Sequence, residues 1–140
     1  MDTKSEKCVI IIDEAQPLGV MANITSILSI SLGKLRPDIV GNDMMDSDKH
    51  NHFGLIQVPV PVLKASCEKI KSIRNLIFEE EYSEIDCIDF SNVAQECMTY
   101  EDYTSTMQTS SNDDLIYMGI ALVGNKKKIN KLSGNLPLLR

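Results

Sequence analysis

Two uninterrupted apolar runs constrain this chain more than any other feature. "CVIIID", near the start, reaches its only charge at the closing acid, and "LIYMGIALVG", near the end, carries none. Neither alternates apolar with polar residues, so each reads as a strand buried on both faces and not as one resting on solvent. The segments between them supply the cover. After "EAQPLG", Val20, Ile24, Ile27 and Leu28 recur at helical spacing, and Ile70, Ile73, Leu76 and Ile77 do so after Ser66. Gly33 is the expected stop of the first helix, and Ser66 the expected N-cap of the second.

Thr99 and Asp102 have the spacing of a capping box, which predicts a third helix through about Gln108. "IDCIDF" is a short strand, and "NKKKINKL" is a closing helix capped by Asn125 and stopped by Gly134. Residues 39–62 read as two extended segments around the polar turn "DSDKHN", followed by a proline-limited strand end. Strands alternating with helices predict an α/β layer domain in which helices cover a small mixed sheet. A length of 140 residues fits one domain, spanning 1–140. The polar face of the first helix holds Ser, Thr, Ala and Asn without charge, so that helix is expected to be covered on more than one side.

Charge and cysteine usage narrow the function. With 14 cations against 20 acids and a pI near 4.8, the chain is a poor polyanion binder over any broad surface. Cys8, Cys67, Cys87 and Cys97 form no C-x-x-C pair or zinc-like spacing, which predicts reduced thiols and no disulfide. "LGVMANITSILSISLG" has 16 residues, fewer than the roughly 20 of a spanning helix, and Asp13 and Glu14 precede it where a secretory signal would be basic. A cytoplasmic protein without a membrane anchor is expected.

Several polar groupings are candidate sites. In the tail, four cations fall between Lys126 and Lys131. Lys126, Lys127 and Lys128 occupy the first helical turn, where the helix dipole disfavours them, so local stability does not explain their presence. An anionic ligand at the helix start does, with Asn125 and Lys131 as its partners. "DFSNVAQ" closes a strand, the place where α/β sheets hold ligand contacts. There Asp89 is a candidate base, while Ser91 and Gln95 are hydrogen-bonding groups. "DSDKHNH" lacks the glycine and glutamate of a calcium loop, with Asn51 and Gln57 in those places, so it reads as a polar surface turn and no metal is expected. Cys67, at the start of the second helix, is read as a small buried cysteine; an activated nucleophile is the rival reading.

"MGIALVGNKKKINKLSGNLPLLR" resembles the C-terminus of type II peptidyl-tRNA hydrolases, in which a glycine-bearing strand leads into a short helix. More closely, "PLGVMANI", "VPVPVL", "DFSNVAQ", "TYEDY" and "NKLSGNLPLLR", spread over residues 8–140, resemble a bacterial domain-of-unknown-function family, the two-thousandth of that series. The resemblance implies a hydrolase-like fold, a four-stranded mixed sheet with helices on both faces, and a homodimer. It also implies a departure in chemistry. Those hydrolases open their first helix with Gly-Lys and continue to Gln and His, whereas Gly19 is followed here by Val20, with Ile24 and Ile27 where Gln and His would lie. Asn23 is the polar group left nearby, Asp89 roughly matches the loop acid in a loop one residue longer, and Lys131 matches the tail lysine. The expected function is a hydrolase-like small-ligand site for an anionic metabolite, with Asp89 and Asn23 at its chemical centre, no cofactor and no efficient peptidyl-tRNA hydrolysis. The alternative is a non-catalytic dimeric module that kept the fold and lost the chemistry.

Overall fold

The computed structural model describes residues Met1–Arg140. Its two central strands are the two apolar runs. β1 (Glu6–Asp13) and β6 (Tyr117–Asn125) pair antiparallel from Glu6↔Asn125 to Ile12↔Gly119. β4 (Val62–Ala65) adds to β1 in parallel, and β5 (Asp86–Ser91) adds to β6 antiparallel, giving a four-stranded mixed sheet in the order β4-β1-β6-β5. A two-stranded ribbon, β2 (Met44–Met45) and β3 (Asn51–His52), stands apart from that sheet.

Alternation along the strands sorts side chains to the two faces. Val9, Ile11, Ile120 and Leu122 pack with Ile70, Ile73 and Ile77 of α2 (Cys67–Ile77) and with Ile129 and Leu132 of α5 (Lys126–Ser133). On the opposite face Ile10, Ile12, Phe90 and Ala121 meet Ile24 and Leu28 of α1 (Leu18–Leu35), and Cys8 and Val123 meet Leu32. Gly119 lets α1 settle this close, because a methyl group there would come within 2.8 Å of Ile24 Cγ2. The mixed α/β architecture with helices on both faces is therefore as the sequence predicts.

The caps are also as expected. Ser66 accepts from the Lys69 N–H at 3.1 Å, Thr99 from that of Asp102 at 3.1 Å to start α4 (Tyr100–Gln108), and Asn125 from that of Lys128 at 3.1 Å.

Three features differ from the sequence reading. α1 runs on through Gly33 and ends at Leu35, because Pro37 restricts Arg36 to a non-helical conformation (φ −126°, ψ 70°). A short helix, α3 (Asn92–Glu96), occupies most of "DFSNVAQ". Only Ile24, Leu28 and Leu32 of α1 are buried, so a single face of that helix is covered, and Leu18 and Ile30 stand 78% and 75% exposed. By length and composition α1 is apolar enough to cross a membrane, yet its buried stripe lies on the sheet.

Candidate functional site

β1 and β5 both run antiparallel to β6, and β4 runs parallel to β1, so Asp13, Ala65 and Ser91 end their strands at one edge of the sheet. A bulge between Phe90 and Ser91 breaks the register there. Ser91 is fully buried, and its Oγ has no hydrogen-bond partner. Gln95 lies exposed on α3, and Asn23 lies exposed on α1.

Asp89 is engaged. Its Oδ2 accepts from Arg74 Nε at 2.9 Å, and the Arg74 guanidinium lies 3.9 Å above the ring centre of Phe78. Beside Asp89 opens a cavity of about 450 Å³ between α1, β5 and α4, walled by Leu28, Phe90, Tyr100 and Tyr103 and carrying the hydroxyls of Ser31 and Thr99. Burial, with the Asp89 charge second, raises the Tyr103 phenol above its ordinary value, so it remains a proton donor at neutral pH. The strand-end candidates are thus an acceptor already paired, an unpartnered buried hydroxyl, and two exposed amides.

Thiol chemistry finds no support at Cys67. Desolvation and the neighbouring Glu68 raise its pKa, opposite in direction to the helix-terminus effect that makes a nucleophile. Burial pushes Cys87 up to about 12. All four cysteines are free thiols.

The tail residues form a separate place. From Tyr117, opposite Ser91, to Asn125 the strand runs eight residues at about 3.4 Å each, so Asn125 lies about 27 Å from the Ser91 edge. Asn125 caps α5, and the N–H of Lys126 donates to the carbonyl of Ser5 at 2.8 Å. Lys131 Nζ is committed to Glu81 at 2.9 Å, and Lys128 Nζ to Glu84 at 3.0 Å. Around the helix start, Lys4, Ser5, Lys126, Lys127 and Asn130 join Asn125 in lining a cleft of about 430 Å³ with no hydrophobic wall. Lys7 reaches the same edge and donates to Asn130 Oδ1 at 2.8 Å. None of Lys4, Lys7, Lys126 and Lys127 takes part in an ion pair. Nothing in the sequence announces Lys4 and Lys7 as companions of the tail, because only the β1–β6 pairing brings them there.

The polar turn of the β2–β3 ribbon gathers Asp46, His50 and His52. Asp46 Oδ2 lies 3.3 Å from His50 Nδ1 and 2.9 Å from His52 Nε2.

Comparison with known proteins returns fold and kinship without an activity. A solved protein of unknown function from Agrobacterium tumefaciens strain C58 superposes with a TM-score of 0.86 at 17% identity, over 97% of this chain and 98% of its own. At that identity the likeness concerns the fold alone. No curated protein matches. The family model described as protein of unknown function (DUF2000) matches residues 6–140, nearly the whole chain, and the protein belongs to that family.

Proposed function

We propose that this protein binds a small anionic metabolite, with Lys4, Lys126, Lys127, Asn125 and Asn130 as its contacts. The observation that carries this reading is that Lys4, Lys126 and Lys127, three ammonium groups in no ion pair, line one polar cleft in a chain of net charge −6. Uncompensated like charges repel one another and are favourable only when solvent or a ligand neutralises them. The helix dipole at the start of α5 works in the same direction for an anion and against the lysines alone. Lys131 lies on the same helix and supplies longer-range positive potential, tempered by its Glu81 partner.

The fold reading that goes with it is the type II peptidyl-tRNA hydrolase-like one. The four-stranded mixed sheet and the tail sequence support it, and Val20 in place of the lysine argues that the hydrolase chemistry was lost. In this reading Asp89, Asn23, Ser91 and Gln95 form a vestigial strand-end site. Its acid is held by Arg74.

The test is a thermal-shift screen of mono- and diphosphate and di- and tricarboxylate metabolites against the wild type and a Lys126→Ala/Lys127→Ala variant. A ligand at a hundred times its Kd stabilises by about 2.7 kcal/mol. A shift in the wild type that the variant loses supports the reading; no shift with any anion, or equal shifts in both, overturns it.

A second reading, the non-catalytic dimeric module, is favoured by one specific observation. The solvent face of α1 is uncharged apart from Lys34 and displays Leu18, Ile27, Ile30 and Leu35. Ile27 and Ile30 lie on neighbouring sides of its outward surface, and exposed apolar patches mark association surfaces. A second copy of the chain seated there would cover the side the monomer leaves open. Light scattering checks it, since a mass of 15.6 kDa at micromolar concentration identifies a monomer.

A further inference from the structure

The β2–β3 ribbon falls between α1 and β4 in chain order, and its turn brings nitrogen and oxygen donors together. Met44 pairs with His52 and Met45 with Asn51, so residues 46–50 close the turn. Asp46 Oδ1 accepts the backbone N–H groups of Asp48 at 2.9 Å and His50 at 3.0 Å. Those two bonds hold the carboxylate and aim its other oxygen at the imidazoles. Oδ2 lies 2.9 Å from His52 Nε2 and 3.3 Å from His50 Nδ1. Asp48 brings a further carboxylate, so that ligand atoms of Asp46, Asp48 and His50 all lie within 4.8 Å of one another.

We propose that this turn binds a divalent first-row transition-metal ion of the zinc class through Asp46, His50 and His52, with Asp48 or water in the remaining position. Ligands about 2.0–2.1 Å from a tetrahedral ion are separated from one another by about 3.3 Å. The Asp46–His50 separation already has that value. His52 sits a few tenths of an ångström closer because its ring nitrogen now hydrogen-bonds directly to Oδ2. An ion would take the place of that hydrogen, with the neutral imidazole carrying its single N–H on Nδ1 instead. The donor set also selects the ion. Two imidazoles with a carboxylate suit zinc, nickel or copper, whereas calcium and magnesium take oxygen ligands. The hydrogen bonds to Asp46 Oδ1 are the outer contacts that orient a coordinating carboxylate. With His50 75% and His52 58% exposed, the site is open to solvent and its affinity is lower than that of an enclosed structural zinc centre.

The experiment is a titration of the full chain with Co²⁺, followed by visible absorption, and with Zn²⁺, followed by calorimetry at neutral pH. The wild type is compared with His50→Ala and His52→Ala. Both side chains are on the surface, so the variants keep the fold, which circular dichroism checks. One ion per wild-type chain, with a Kd at least about tenfold weaker in each variant, is the expected result. Absence of binding to the wild type overturns the proposal. So does equally tight binding in the variants, which would put the ion elsewhere on the chain.

Discussion

Asp89 and Arg74 form an ion pair at 2.9 Å with only 18% and 13% of their side chains exposed. The pair ties the edge strand β5 to α2, and Arg74 also covers Phe78. Removing one partner of a mostly buried pair leaves the other charge desolvated, and that loss exceeds what the pair itself contributes. Arg74→Ala is therefore expected to destabilise by about 2 kcal/mol, with allowance for the residual exposure. For a chain of this size that corresponds to a fall in Tm of about 4–8 °C by differential scanning calorimetry. Asp89→Asn should cost less, because an amide oxygen still accepts from Nε. A neutral outcome for Arg74→Ala would mean that Asp89 is free to act as a base.

Acid sensitivity should trace to Arg36. Its guanidinium donates to Glu6 at 3.0 and 3.2 Å and to Asp38 at 2.9 and 2.8 Å. These bonds hold both carboxyls below their ordinary values of 4.5 and 3.8. With folded pKa values depressed, the unfolded chain takes up protons first as the pH falls. The stabilisation is thus complete above about pH 5 and is lost as the pH drops through the carboxylate range. An Arg36→Gln variant should melt lower than the wild type at neutral pH, and the two melting curves should converge as the solution becomes acidic. Parallel Tm profiles from neutral pH to about pH 2 would show that Arg36 does not set the pKa of either acid.

Gly124 is irreplaceable for a local reason. Its φ is +148°, and a Cβ there would lie 2.9 Å from the Glu84 carbonyl oxygen and 3.2 Å from Ile85 Cα. Both obstacles are backbone or backbone-attached and cannot swing away. Gly124→Ala should cost about 1–3 kcal/mol, read as a lower urea midpoint with an unchanged m-value. Because Gly124 precedes the cap Asn125, the same substitution should also weaken any anion bound at the start of α5. A variant as stable as the wild type would show that the β6–α5 junction can relax.

What the sequence made legible was local. Ser66, Thr99 and Asn125 were readable as caps because a cap and its amide lie three residues apart, and the strands because a fully buried run needs no partner to be recognised. Gly33 misled because the helix end was decided by Pro37, through the conformation it forces on Arg36. α3 was hidden because no side chain caps it. The candidate sites depended on contacts that spacing does not encode. Lys7 stands opposite Gly124, and Lys71 of α2 donates to the carbonyls of Asn112 and Leu115, both consequences of strand order and helix docking. Asn125 and Asp89 looked like neighbours in function, yet antiparallel pairing sends the two ends of β6 to opposite edges of the sheet.

Finally, the protein should not hydrolyse peptidyl-tRNA efficiently. Binding a tRNA backbone draws on many Lys and Arg contacts, each releasing counterions. Here the one polar cleft lined by several lysines, at the Asn125 edge, holds Lys4, Lys126 and Lys127, and the neighbouring Lys128 and Lys131 are engaged by Glu84 and Glu81. Such a patch suits one or two phosphates. The chemistry is also incomplete at the other edge. Ester hydrolysis needs a donor or cation where the oxyanion develops, and loss of one such donor lowers the rate by about a hundred- to a thousandfold. Val20 is apolar, and Asp89 is bound to Arg74. The check is a turnover assay beside an authentic type II hydrolase, run on the wild type, Val20→Lys and Val20→Lys/Arg74→Ala. Wild-type activity is expected to fall more than about a hundredfold below the authentic enzyme, since both the donor and the free acid are missing. Val20→Lys alone should recover little, and any gain should appear only when Asp89 is released from Arg74. Wild-type turnover within about tenfold of the authentic enzyme would overturn the prediction and would reassign the lysine cleft to RNA.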